Sequence, residues 1–175
     1  MVDSAVWVAA FTGGTAVLAG WVTNLGNVRT AKAQAEASAR TQHLSRVREL
    51  RRAAYLEFME RAHVTGELYW QVTFAFNQVA DPDRLSERIH DLRTELRGAY
   101  DPLMRGVRVV VLEGPAGPAE AAEAVIEVVT RTNRALWQVT LGEPDARARF
   151  DEGQQVFADR LERFVEAARA AMGSP

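Results

Sequence analysis

The sequence predicts an all-α protein in three parts: an N-terminal transmembrane helix, a helical stalk and an antiparallel four-helix bundle. Three observations lead there. Residues 4–28 carry no charged side chain. Apolar residues recur at helical spacing through the rest of the chain, as one buried face per helix requires. Turn-forming clusters, Asp81-Pro82-Asp83, Glu113-Gly114-Pro115-Ala116-Gly117-Pro118 and Leu141-Gly142-Glu143-Pro144, separate those periodic segments. The expected boundaries are 1–28 for the anchor, 29–43 for the stalk and 44–175 for the bundle.

The anchor comes first. Asp3 and Arg29 bracket 25 uncharged residues, and Ala5–Val22 is mostly apolar. A bilayer core needs about 20 such residues in a helix. Trp7 and Trp21 stand 14 positions apart, roughly 21 Å along a helix. Indoles at both ends suit the two membrane interfaces. Thr12-Gly13-Gly14-Thr15 interrupts the apolar run, which membrane helices tolerate. A cleaved secretory signal would want a basic start, whereas this chain opens Met-Val-Asp. A surface-lying amphipathic helix would want a charged face, which 4–28 lacks. Small residues recur four apart, as Ala9/Gly13, Ala10/Gly14 and Ala16/Gly20. That spacing can bring two membrane helices together, though an Ala- and Gly-rich span produces it readily.

Orientation follows from the flanks. Residues 29–52 hold Arg29, Lys32, Arg40, Arg46, Arg48, Arg51 and Arg52 against Glu36 and Glu49, an excess of five positive charges. No Lys or Arg precedes the span. The positive-inside rule then puts the N-terminus outside and the C-terminal domain in the cytoplasm of a plasma (inner) membrane. Trp7, Trp21, Arg29 and Lys32 are the expected membrane-interface residues, with anionic headgroups as possible partners of the basic flank.

The stalk, residues 29–43, is Ala-rich and polar, without an apolar stripe, and its helix propensity is high. From Leu44 the helical period sets in. Ala54, Tyr55, Phe58, Ala62, Thr65, Tyr69, Val72 and Phe76 point within about 60° of one direction. This helix is expected to end near Val79, with Asp81 capping the next and Pro82 in its first turn. The second helix turns Leu85, Ile89, Leu92, Leu96, Ala99 and Leu103 to one side, and Pro102 should kink it. Val107–Leu112 is β-branched, but a lone strand would leave its backbone unpaired, so it reads as the end of that helix. The third helix is expected to bury Ala122, Ile126, Val129, Asn133, Leu136 and Trp137. The fourth is expected to bury Phe150, Phe157, Leu161, Phe164 and Ala168, with Glu152, Asp159, Glu162 and Glu166 outward. Short links between four such helices give an antiparallel bundle.

Composition removes several chemistries. There is no cysteine, hence no disulfide, thiolate metal site or thiol nucleophile. Net charge is −2, so no overall field draws in nucleic acid. Arg46–Arg52 scatters around its helix and supports groove binding only weakly. Twenty arginines against the single Lys32 reflect codon usage before chemistry.

Two Glu-x-x-His pairs, Glu60/His63 and Glu87/His90, suggest the di-iron carboxylate bundles. Helical geometry argues against that reading. Glu60 and His63 lie roughly 200° and 140° from Phe58, and Glu87 and His90 roughly 220° and 160° from Leu92, all opposite the apolar stripes. Across the hairpin the two histidines also differ in level by roughly 15 Å. His43 has no companion nucleophile or acid. Asn133, on an apolar face, is expected to find a backbone partner or to fix packing register. Tyr55, Tyr69, Trp70 and Trp137 could line a pocket, but core packing explains them more simply. No catalytic, cofactor-binding or metal-ligating residue is therefore assigned.

Four features stand together: the Gly/Ala-rich anchor, the Ala/Arg/Glu stalk, Arg51-Arg52-Ala53-Ala54-Tyr55-Leu56-Glu57-Phe58-Met59, and Val109-Val110-Val111-Leu112-Glu113-Gly114-Pro115 leading into an Ala-rich helix. With them the layout resembles a loose group of uncharacterised actinobacterial single-pass membrane proteins. Some of that group carry kil-type plasmid-transfer names. The resemblance implies a cytosolic helical domain and supplies no catalytic residue. The leading expectation is a non-enzymatic, membrane-tethered helical module that binds another protein or self-associates. The alternatives are an enzyme or small-ligand sensor with a pocket inside the bundle, and a lipid- or nucleic-acid-contacting accessory protein.

Overall fold

In a computed structural model of the chain, three short links separate four helices among the described residues: α1 (Asp3–Gln78), α2 (Pro82–Glu113), α3 (Ala116–Thr140) and α4 (Ala146–Gly173). The structure describes the backbone of residues 3–173 and the side chains of Lys32 and of residues 34–173. Among the described residues there is no strand. The chain falls into two units, Met1–Arg46 and Val47–Pro175. The second begins three residues after the expected boundary at Leu44.

In the first unit, Lys32 and residues 34–46 are exposed. Residues 4–28, where the sequence places the membrane span, lie outside the described side chains, and with them Trp7, Trp21 and Arg29. Among the described residues no helix is long and apolar enough to cross a membrane.

The second unit is built from its turns. At Asp81 the backbone is extended, and the carboxylate Oδ1 accepts from Asp83 N–H at 3.0 Å and Arg84 N–H at 3.3 Å. These are two of the donors a helix start leaves unpaired. Pro82, with no N–H to lose, takes the first turn. Asp81→Ala should therefore cost about 1 kcal/mol. An unchanged midpoint in urea denaturation would show that the cap contributes nothing.

Within α2, Pro102 leaves the Gly98 carbonyl without its usual donor four residues on. Gly98 is exposed, which leaves that carbonyl open to solvent, and α2 continues through Pro102 to Glu113. Val107–Leu112 is helical, as expected, with Val107 and Val110 buried. The loop after it is shorter than expected. Only Gly114 and Pro115 link α2 to α3, while Gly117 and Pro118 belong to the first turn of α3 and Pro118 is buried. A proline there forfeits no helical hydrogen bond, so Pro118 does not delay the helix. The link into α4 holds two residues in left-handed backbone, Gly142 (φ 71°) and Asp145 (φ 60°).

Contacts fix the order of the helices. Arg88 meets Gln71 and Arg51 meets Glu113, so α2 runs antiparallel to this part of α1. Arg93 meets Thr140 and Tyr100 meets Thr130, which turns α3 back again. Arg149 meets Gln138, and Phe157 and Phe164 pack on Tyr69 and Phe58. α4 therefore lies beside both α3 and α1, closing an up-down-up-down bundle.

The core follows the expected stripes closely on α1, α2 and α4. Ala54, Tyr55, Phe58, Ala62, Thr65, Tyr69 and Val72 are buried, as are Ile89, Leu92, Leu96 and Leu103, and Phe150, Phe157, Phe164 and Ala168. Three expectations are corrected. Leu44, where the helical period is expected to set in, is exposed, and the core starts at Ala54; Arg51 already stands level with the last residue of α2. Trp137 is 48% exposed, while Val125, Val128, Thr132 and Ala135 are buried in α3. That helix is covered by α2 on one side and α4 on the other, so its buried arc is broader than a single stripe. Asn133 pairs with the side chain of Tyr69 on α1 and not with backbone.

Candidate functional site

The Glu-x-x-His pairs come to the surface. Glu60, His63, Glu87 and His90 are all exposed, on the sides that helical geometry assigns them. His63 Nε2 lies 3.9 Å from Glu67 Oε1, one turn along α1. Among the described residues no three His, Cys, Asp or Glu side chains gather where they could hold a metal ion. His43 is exposed.

The interior is packed with rings and aliphatic side chains. Phe58, Tyr69, Phe150, Phe164, Leu92, Leu103 and Leu136 fill its centre. Among the described residues the only buried polar side chains beyond the tyrosines are Thr65 and Thr132, and both hydroxyls bond the carbonyl one turn back. Tyr69 is satisfied on α3: its hydroxyl donates to Asn133 Oδ1 at 3.0 Å and lies 3.3 Å from the Val129 carbonyl. Burial pushes this phenol well above its ordinary pKa. Tyr55 is buried beside Gly114 with no hydrogen-bond partner for its hydroxyl. Burial raises its pKa too, with Arg51 offsetting part of the rise. Neither phenol is poised for proton transfer near neutral pH. Among the described residues no carboxylate or imidazole is buried in the core, so the centre of the bundle offers no such acid or base to a ligand.

Two features of the surface do invite function. The first is on α1. Trp70 and Phe74 are 58% and 51% exposed and stack on each other, ring centroids 5.5 Å apart with 20° between planes. One flank is the α1–α4 groove, which carries Glu67 and Glu162. The other is the α1–α2 groove, which carries Arg84 and Arg88. Arg88 is held in place, donating to Gln71 Oε1 at 2.8 Å and lying 3.7 Å from Glu95.

The second is a groove of about 380 Å³ between α2 and α3. Arg93 and Arg97 stand one turn apart on α2, Arg134 faces them from α3, and Tyr100 and Trp137 form its aromatic walls. The buried Leu96 and Leu136 make its floor. Arg93 Nη1 donates to Thr140 Oγ1 at 3.1 Å, and Tyr100 OH lies 3.2 Å from Thr130 Oγ1. Arg93 is held below the ordinary arginine pKa by partial burial and by the adjacent charge of Arg97.

Of the four aromatic residues the sequence suggests for a pocket, Tyr55 and Tyr69 belong to the core. Trp70 and Trp137 sit in these two separate surface features. Phe74, Arg93, Arg97 and Arg134 carry no role assigned from sequence. A signal for Phe74 exists, because it lies one turn from Trp70 on the face opposite Phe58. Comparison with known proteins finds no matching family model, no matching curated protein and no matching solved structure.

Proposed function

We propose that the chain is a membrane-tethered helical module that self-associates through α1, at the cytoplasmic face of the membrane and without chemistry of its own. The supporting observation is the exposed stack of Trp70 on Phe74. Aromatic rings bury about 150–250 Å² each when covered, at about 25 cal/mol per Å². Two rings already stacked lose little freedom on docking, which is how a small interface concentrates its energy.

The charges around the stack favour a second copy as the occupant. Acid lies on the α4 side (Glu67, Glu162), and the α2 side carries Arg84 and Arg88 beside Asp81, whose carboxylate is committed to capping α2. A two-fold axis running along α1 lays the α2 side of one copy against the α4 side of the other. Such an axis keeps levels unchanged, and Arg88 stands level with Gln71, one turn from Glu67, so Glu67 of each copy comes within reach of Arg88 of the other, once on each side of the axis. That axis also makes the two α1 helices parallel. Anchors at residues 4–28 in one membrane would hold two chains at a high local concentration, which favours such a pairing. In this reading Trp7 and Trp21 mark the membrane interfaces, and Arg29 and Lys32 meet anionic headgroups on the inner side.

The absence of cysteine makes the test direct. His63 lies on the same outer face as the stack, and a parallel pair brings its two copies together. In the full chain in its membrane, His63→Cys should give a cross-linked dimer with a short bismaleimide. Adding Trp70→Ala and Phe74→Ala should abolish it while leaving the helical circular dichroism intact. A monomer at every concentration would overturn the proposal. So would a cross-link that survives loss of both rings, or one made only to a different protein.

A further inference from the structure

We infer that the α2–α3 groove is a binding site for a small organic anion with a flat apolar body, such as an aryl sulfonate or carboxylate. This inference is independent of self-association, since the groove and the Trp70–Phe74 stack share no residue.

The argument begins with charge. Arg93, Arg97 and Arg134 converge on one groove, and among the described residues none of the three forms an ion pair with a carboxylate. Of the carboxylates near them in sequence, Glu95 turns to Arg88 and Glu127 to Arg131, while Asp91 and Asp101 do not line the groove. Like charges held close oppose each other. Partial burial first, and then the charge of Arg97, lower the proton affinity of Arg93. An anion placed between the guanidiniums removes their repulsion and gains charge-assisted hydrogen bonds. Guanidinium groups suit this task because their planar donors match sulfonate, phosphate and carboxylate oxygens.

The shape specifies the rest of the ligand. Leu96 and Leu136 supply an apolar floor, and Tyr100 and Trp137 supply rings on two sides. Trp137 is half exposed, so its face is open to stack. The volume, about 380 Å³, falls in the range of small-molecule sites. An inorganic anion would satisfy the guanidiniums and leave the floor and rings in water. A neutral ring would do the reverse. Only a ligand carrying both properties uses the whole groove. Its polar fixtures are already in place, with Thr140 orienting Arg93 and Thr130 orienting Tyr100.

Naphthalene-1,5-disulfonate is the probe: it carries two anionic ends on a flat ring system and partitions poorly into micelles. Calorimetric titration of the full chain in mild detergent should give saturable binding at one per chain. Arg97→Gln with Arg134→Gln should weaken it by about tenfold for each charge-assisted hydrogen bond removed. Trp137→Ala should weaken it as well, whereas Trp70→Ala should not. Inorganic sulfate and 1,5-dihydroxynaphthalene should each bind at least about tenfold more weakly than the probe. No saturable binding up to millimolar probe would overturn the inference. Equal binding by the double arginine variant, whose surface substitutions leave the fold intact, would also overturn it. So would binding of an acidic peptide in preference to the probe, since the groove would then read protein.

Discussion

Phe164→Ala is expected to cost roughly 3–5 kcal/mol of stability. Phe164 is fully buried on α4. Its ring meets Phe58 edge-on at 4.6 Å between centroids and Tyr55 at 5.9 Å, both on α1. Truncation therefore loses the transfer energy of one ring, the edge contacts of two others, and the closure of α4 on α1. Domains of this size are stable by only about 5–15 kcal/mol in total, so the variant should sit near its unfolding midpoint in moderate urea. Phe164→Leu should recover much of the loss, because most of the volume returns. A loss below about 1 kcal/mol for the alanine variant would mean that the helices close up around the gap.

Gly153→Ala should also destabilise, against the usual trend for a helical glycine. Alanine gains about 0.8–1 kcal/mol over glycine in a helix interior. Here a Cβ on Gly153 would stand 3.1 Å from the Cβ of Thr132 and 3.3 Å from its Cγ2, with the hydroxyl oxygen nearer still. Rotating Thr132 moves the oxygen but not the Cβ, which is fixed to the α3 backbone. The two helices must part, and overpacking of this kind costs about 1–3 kcal/mol. The sign is decided by adding Thr132→Ala, which removes both γ atoms. The double variant should regain the part of the loss due to the γ atoms and keep the part due to the two Cβ atoms, giving a coupling of about 1 kcal/mol in a double-mutant cycle. Strictly additive effects would show that the close approach carries no energy.

Much of the bundle is legible in the sequence because its core is aliphatic and aromatic on three clear stripes. Phe58, Leu92 and Phe164 each announce a buried face by their spacing alone. The Asp81 cap is legible for the same local reason: Asp followed by Pro has few other uses between two periodic runs. α3 is less so. Its buried arc is set by two neighbouring helices, and periodicity within one helix carries no information about how many neighbours cover it. Spacing therefore places Trp137 inside, where it could pack, whereas it walls a surface groove. The groove is invisible in sequence for a related reason. Arg93, Arg97 and Arg134 lie on two helices, and their convergence depends on the register between α2 and α3, which the sequence does not print. The link at Gly114-Pro115 looks longer than it is because a proline in the first turn of a helix looks the same in sequence as a proline in a loop.

The pairing of α1 with α4 has a consequence for how this chain is made. The rings that cover Tyr55, Phe58 and Tyr69 come from Phe150, Phe157 and Phe164, which the ribosome adds only after the other three helices. Until α4 emerges, the ring-bearing face of α1 around Tyr55, Phe58 and Tyr69 has only α2 and α3 beside it. A nascent chain stalled before Ala146 carries three uncovered aromatic side chains. The order of synthesis thus leaves a window in which this face is open to chaperones, or to the same face on a neighbouring nascent chain, and the window closes only when α4 docks.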